Sequence, residues 1–373
     1  MMSFSLILPE LFEYLSLMGG KDYKGFIIFA FSMTSILFRP IGAQLTDTIG
    51  RKPVILFGLV ICFLSGLLYP LATTVFLFLA LRSFHGMAAA FTPTANSAAV
   101  VDVVPASKRG EALGLVGFAT SMGMTFGPVF GSWIKLNYGF TSLFLFSSLV
   151  SFLSLILSMS IKETLTIKKK ANTKFIDKQN IFDPLVLFPA LVYLFYILSY
   201  AVVFTIIPDF STHLGIENKG LFFLVSVGSS SFVRITTGKI SDKIGRMPLL
   251  FFGIIILIVS MFLIGSATNT WTLLMGGVLI GVSVGIATPS VMAWCSDLAN
   301  EKYLGRAFSS MFLSLEIGIS IASILSSVIY NNKPENFPKT FYYMSAFAFV
   351  SLLILFLSYL KQKSQNKSSN FAK

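Results

Sequence analysis

Apolar residues in this chain come in long blocks, not in the alternation of a strand or the stripe of a surface helix. Predominantly apolar stretches cover roughly 1–18, 24–46, 53–72, 75–101, 110–134 and 140–161, then 184–208, 219–240, 248–267, 271–296, 304–330 and 338–360, with a polar stretch at 162–182 between the sixth and seventh. Most exceed about 18 residues, the length at which a helix crosses the hydrocarbon core of a bilayer. The pattern therefore predicts an all-α integral membrane protein. Residues 1–161 form a first six-helix bundle, 162–182 a linker, 183–360 a second six-helix bundle and 361–373 a tail.

Composition leaves little room for a soluble reading. The 373 residues are 55% hydrophobic and 12% charged, with 39 Phe and a mean hydropathy of +0.80. A water-facing surface of this size needs far more Lys, Glu, Arg and Asp. The net charge of +12 raises nucleic acid as a partner, but the cations sit in short loops between apolar blocks, so no nucleic acid is expected. Cys62 and Cys295 lie within apolar blocks and imply no disulfide framework. No Lys or Arg precedes the first block, so no signal peptide is read there.

Counting Lys and Arg in alternate loops gives 19 on one side, including the linker and tail, and six on the other. The richer side is expected to be cytoplasmic, in a multi-pass protein of the plasma (inner) membrane. Lys168–Lys170 is expected against anionic lipid headgroups.

Sliding the chain by 195 residues superimposes its halves. Lys24-Gly25 falls on Lys219-Gly220, Arg39 on Arg234, Asp47 on Asp242, and Gly-Arg-x-Pro at 50–53 on the same pattern at 245–248. Asp102 falls on Asp297, Gly110-x-Ala112 on Gly305-x-Ala307, and Gly123 on Gly318; Thr92-Pro93 matches Thr288-Pro289 at a shift of 196. Two similar halves facing one another suit a carrier with its site at their interface, exposed by rocking. Pro208 ends the seventh block 23 residues after Leu185, whereas its counterpart Pro9 has eight residues before it. The first helix is thus expected to lack about fifteen residues. A start codon called too late and a genuine eleven-and-a-half-span protein are both open readings.

The turns RPIGAQLTDTIGRKP (39–53) and GKISDKIGRMP (238–248) carry the specific signal. Both resemble the loop signature G-x-L-x-D-x-x-G-R-[KR] of the major facilitator superfamily. The chain resembles that family along its whole length, most closely its drug:proton antiporter branch. Here Ala43 replaces the opening Gly, beside Gly42, and Thr48 stands where a basic residue is usual. The resemblance implies a polar latch at each turn. Asp47, Gly50, Arg51, Asp102 and Arg109 would form it in the first half, and Asp242, Gly245, Arg246, Asp297 and Arg306 in the second. The bland alternative is solvated loop charge, worth little per pair.

Three further features stand apart. Arg82 in LRSFHGMAAA (81–90) lies about 12 Å from the outer end of the fourth segment, with His85 one turn on. The stretch resembles the family pattern R-x-x-Q-G-x-G, with His85 in the Gln place and Ala88 in the second Gly place. Arg82 either faces a polar cavity or partner, or snorkels to the outer surface. Its repeat counterpart is Gly277, which ties it to substrate or proton more than to architecture. His85 reads equally as a titrating group or a structural imidazole. Gly123, Gly127, Pro128 and Gly131 in GMTFGPVFG match the G-x-x-x-G-P-x-x-G signature of efflux members, and ASILSS (322–327) replaces it in the second half. Ordinary close helix packing is the alternative. Glu316, midway along the eleventh segment opposite Ser121, is either a proton-coupling carboxylate or one paired to a neighbouring helix. The duplicated Arg39 and Arg234 read as architectural, and His213 as a solvated loop residue.

Together these features imply a secondary transporter, not an enzyme. It would export small amphipathic or hydrophobic solutes on the proton gradient, as a monomer in the lipid bilayer, with no cofactor and no metal. A proton-coupled importer of a metabolite or organic acid is the alternative. A membrane enzyme would need clustered nucleophiles or metal ligands, and a non-transporting sensor would not need both latch motifs. No phosphate-cradling Gly-Lys-Ser/Thr loop implies ATP.

Overall fold

In the computed structural model, residues 1–104, 109–165, 183–299 and 304–371 are described. Twelve helices run through them. Met2–Ile7, a 3-10 turn Leu8–Glu10 at Pro9, and Leu11–Leu17 make up α1. Then come α2 (Lys24–Thr48), α3 (Arg51–Leu68) and α4 (Val75–Val103). Arg109–Met159 is divided by the non-helical Gly139 (φ 81°) into α5 (109–138) and α6 (140–159). The second half follows with α7 (Leu187–Tyr200 continued by Val202–His213), α8 (Gly220–Ile244), α9 (Arg246–Gly265), α10 (Thr270–Leu298), α11 (Leu304–Tyr330) and α12 (Phe337–Phe371).

Nine stretches among the described residues are long and apolar enough to cross a membrane, and one of them, Leu115–Met159, holds both α5 and α6. The two helices outside this set are α1, which is short, and α8, whose apolar part is only Gly220–Ile235. The segment expected as a tail continues α12 as helix to Phe371. The Lys168–Lys170 run lies outside the described residues.

Repeat positions make the same local structure. Thr74 caps α4 by accepting the Leu77 N–H at 3.2 Å, and Asn269, 195 residues on, caps α10 by accepting that of Thr272 at 2.9 Å. Gly50 and Gly245 take φ 124° and 98° between α2 and α3 and between α8 and α9, backbone that side chains with a Cβ rarely adopt. We call the end of the molecule bearing these two turns the motif end, and the opposite one the far end.

Packing repeats as well. In the first bundle α2 and α3 pack on α4; in the second α8 and α9 pack on α10. Among the described residues the broadest contacts between the bundles are α2 with α11 and α8 with α5, pairs that exchange under the repeat. Large apolar side chains such as Phe76 and Trp271 point outward, as a lipid-facing surface requires. Many serines and threonines within the helices donate to carbonyls one turn back, as Ser65 does to Ile61 and Thr46 to Gly42.

Candidate functional site

At the motif end each predicted turn closes on the aspartate expected in its latch, Asp102 of α4 or Asp297 of α10. Arg51 Nε meets Asp102 Oδ2 at 3.0 Å and its Nη1 donates to the Thr46 carbonyl at 2.6 Å. Arg246 Nε meets Asp297 Oδ2 at 3.1 Å and its Nη1 donates to Ser241 Oγ at 3.2 Å. Both ion pairs lie within their own bundle. The side chains of Asp47, Arg109, Asp242 and Arg306 lie outside the described residues.

Sequence reading missed Glu163, just after α6. Its carboxylate accepts the N–H groups of Arg51 at 3.0 Å and Lys52 at 3.1 Å, the unpaired donors at the start of α3. Burial alone would raise the Glu163 pKa, but four backbone N–H groups outweigh it and hold the carboxyl below its ordinary value. A Cβ on Gly50 would sit 2.7 Å from Glu163 Cδ, so a side chain there would displace the Glu163 carboxylate besides straining φ. Thr164 Oγ1 donates to Asp102 Oδ2 at 2.8 Å, tying α6 into the same cluster. The signal was Lys162-Glu163-Thr164 directly after an apolar block, without a counterpart in the second half.

The helix 5 motif has two working sides. On one, Gly123, Gly127 and Gly131 let α1 lie against α5. Ser5 Oγ donates to the Gly123 carbonyl at 2.7 Å, and a Cβ on Gly131 would meet the Leu6 carbonyl carbon at 2.7 Å. On the other, Gly220 at the start of α8 abuts the Pro128 backbone with no room for a Cβ. Asn218 Nδ2 donates to the Val129 carbonyl at 3.2 Å beside it. The repeat-related contact is Gly25 at the start of α2, whose Cβ would fall 2.7 Å from the Ser323 carbonyl oxygen of α11. Pro128 and Ser323 are 195 residues apart, as are Gly220 and Gly25.

Beside each of these contacts a lysine crosses between bundles. Lys24 pairs with Asp209 of α7. Lys219 pairs with Glu10 at 3.2 Å and also with Glu13, both of α1. Glu10 and Asp209 each follow the proline that the repeat aligns. Glu10 is 1% exposed, and it also accepts from Ser132 Oγ at 2.6 Å; Lys135 holds Glu13 at 2.7 Å. Asn332 adds a link from its Nδ2 to the Lys21 carbonyl at 3.1 Å and Asp22 Oδ1 at 3.2 Å. These far-end residues, other than the duplicated Lys-Gly pair, gave no motif to recognise.

Midway along the interface Glu316 of α11 pairs with Arg39 of α2 and accepts from Ser35 Oγ at 2.9 Å. The Arg39 read as architectural is thus the cross-bundle partner of the predicted carboxylate. Arg82 does not snorkel. It is 0% exposed, with Nε donating to the Ile27 carbonyl at 3.2 Å, Nη1 to Tyr69 Oη at 3.4 Å, and its guanidinium 4.6 Å from the Phe31 ring centre. Tyr69 Oη also lies 3.3 Å from His85 Nδ1, so Arg82, Tyr69 and His85 form one buried cluster, separate from Glu316. A cavity of about 910 Å³ lies within the first bundle, walled by Asn96 and Val100 of α4, Met122 and Phe126 of α5, and Met1 and Met2.

Two repeated helical bundles in a membrane, joined by ion pairs across a shared interface, define a transporter. The chain belongs to the Major Facilitator Superfamily, whose family profile matches residues 1–264 and 189–373. It is similar to the multi-drug resistance efflux pump PmrA of Streptococcus pneumoniae, at 27% identity over 97% of this chain and 94% of that protein. It is also similar to the multidrug resistance protein MdtG of Proteus mirabilis, at 25% identity over 95% and 92%. Among solved structures, a D-xylose-proton symporter shares the fold at TM-score 0.78 and 16% identity, covering 95% of this chain and 94% of that one. The human organic anion transporter MFSD10 does so at TM-score 0.70 and 18% identity, over 95% of each chain.

Proposed function

We propose that this transporter exports small amphipathic or hydrophobic solutes in exchange for protons by alternating access, with the motif end facing the cytoplasm. The carrying observation is the pair of far-end joints related by the repeat, each a glycine crossing with a lysine–carboxylate pair beside it. Joints that close one end, while each loop-motif ion pair stays within its own bundle, are what one extreme of a rocking cycle requires.

Glu316 is the coupling carboxylate in this reading. It sits where the bundles meet, and protonating it removes the charge that holds Arg39. The buried Arg82–Tyr69–His85 cluster carries fixed positive charge in the first bundle and tunes the same equilibrium. Export, as opposed to import, is supported by the α5 motif and by the efflux relatives.

The test is solute accumulation in cells with and without the protein, using a fluorescent hydrophobic dye. Less dye with the protein present, restored to the control level when the proton gradient is collapsed, is the expected result. Greater accumulation with the protein would reverse the direction.

A further inference from the structure

Thr34 and Ser35 stand side by side on α2 and spend their hydroxyls differently. Thr34 Oγ1 donates to the Ala30 carbonyl one turn back at 2.8 Å, the ordinary use of a hydroxyl within a helix. Ser35 instead donates to Glu316 Oε1 of α11 at 2.9 Å, and its oxygen accepts from Arg39 Nη2, one turn on, at 3.3 Å. These roles are forced, since a guanidinium only donates and an ionised carboxylate only accepts. The same Arg39 Nη2 also donates to Oε1. One oxygen of Glu316 thus receives two donors, while Oε2 is buried and has no hydrogen-bond partner among the described residues. The repeat copies the serine and the arginine to Ser230 and Arg234 of α8 but puts Ser121 where Glu316 would be, so it gives only the α2 pair a carboxylate at that position.

We infer that Ser35 is a positioning residue for proton coupling: it holds Oε1 so that the proton is taken up at Oε2, and it keeps the Glu316 side chain in place when Arg39 lets go. The O–H bond forms on the oxygen whose lone pairs are unused, with a proton supplied by water, and Oε1 becomes the carbonyl oxygen. A neutral acid no longer holds the guanidinium, which already lies 5.9 Å from the Phe312 ring centre, a contact that needs no carboxylate. The Ser35 hydroxyl donates to a carbonyl oxygen as it does to a carboxylate, so this hydrogen bond between α2 and α11 survives protonation. The inference rests on Glu316 being the coupling carboxylate, as proposed above, but not on the direction of export.

The test is the infrared difference spectrum of the purified protein in nanodiscs between neutral and acid pH. A protonated carboxyl shows there a C=O stretch that falls in wavenumber when its carbonyl oxygen accepts a hydrogen bond. Glu316→Gln identifies the Glu316 band by deleting it. Ser35→Ala is expected to move that band to higher wavenumber, whereas Ser35→Thr, which keeps the hydroxyl, should leave it at the wild-type position. A band that stays in place in Ser35→Ala, or that moves equally in Ser35→Thr, overturns the positioning role and leaves Glu316 standing as the coupling group. If the wild type has no band that Glu316→Gln deletes, Glu316 takes up no proton, and the coupling reading falls together with the role of Ser35.

Discussion

Lys219, the residue that caps the start of α8, reaches across the bundle interface to Glu10 of α1, 3.2 Å away, just as Lys24 reaches from α2 to Asp209 of α7. Both ion pairs are largely shielded from water; removing Lys24 takes away the lysine of Asp209, and removing Lys219 leaves Glu10 only Lys135, 4.0 Å away. Opening the far end exposes the remaining carboxylates to water, so a variant lacking both lysines is expected to favour that state. Replacing both Lys24 and Lys219 with Met is expected to shift the ratio of far-end-open to far-end-closed molecules by about tenfold or more. Spin-label distances between the far ends of α1 and α7 should lengthen in the variant; an unchanged distance distribution would show that the ion pairs do not hold the gate.

Glu316 meets Arg39 where α2 and α11 cross, and Ser35 completes the site. Glu316→Gln keeps the shape and the Ser35 contact but removes the titrating group. Proton-driven exchange in proteoliposomes should fall to the level of empty vesicles, while inserted protein stays at the wild-type amount. Full exchange by this variant would remove Glu316 from the coupling mechanism.

Asp102 receives Arg51 from the first loop motif and Thr164 from the segment after α6. Asp102→Asn weakens both contacts at a partly exposed site, where a single ion pair is worth about 1 kcal/mol or less. Transport turnover is expected to slow several-fold with little change in thermal stability. A turnover equal to wild type would make the cluster mere surface charge.

The twelve-helix plan was legible because membrane helices write themselves as long apolar blocks, and the repeat was legible because Gly-Arg-x-Pro recurs at fixed spacing. The family resemblance implied that Arg51 and Arg246 belong to polar latches, and the structure pairs them with Asp102 and Asp297. What stayed hidden depends on bundle-to-bundle contact, which no local pattern encodes. Arg39 looked architectural because it is duplicated, yet its partner is supplied by a residue present in one half only. Glu10 and Asp209 differ in kind and are 199 residues apart, so the shift that aligned everything else passed over them. Glu163 lacks any counterpart, and its role depends on lying beside the start of α3.

Glu163 ties the motif-end cluster to pH. Its carboxyl is held below its ordinary pKa, so its grip on the Arg51 and Lys52 N–H groups is present in full above the ordinary carboxylate range. The grip is lost only as pH falls below that range, through the lowered value. Thermal stability of the wild type is therefore expected to be flat around neutral pH for this group, with Glu163→Gln less stable there and converging with wild type in acid. Melting curves of the two proteins across that range, in one detergent and salt concentration, give the comparison; parallel curves at all pH values would contradict it.

Gly131 and Gly220 separate packing from gating, since each lies against backbone that cannot swing aside. Gly131→Ala presses α1 away from α5 within one bundle, an overpacking cost of about 1–3 kcal/mol that should lower thermal stability whichever end is open. Gly220→Ala presses α8 away from Pro128 in the other bundle, so the strain exists only while the far end is closed. The first variant is expected to melt several degrees lower with its conformational ratio unchanged. The second is expected to melt close to wild type while its population moves toward the far-end-open form. Accessibility of a cysteine placed at Ser132, buried beside Glu10 in the closed joint, reports that shift. If Gly220→Ala lowers stability without raising that accessibility, the α5–α8 contact is plain packing and the pivot lies elsewhere.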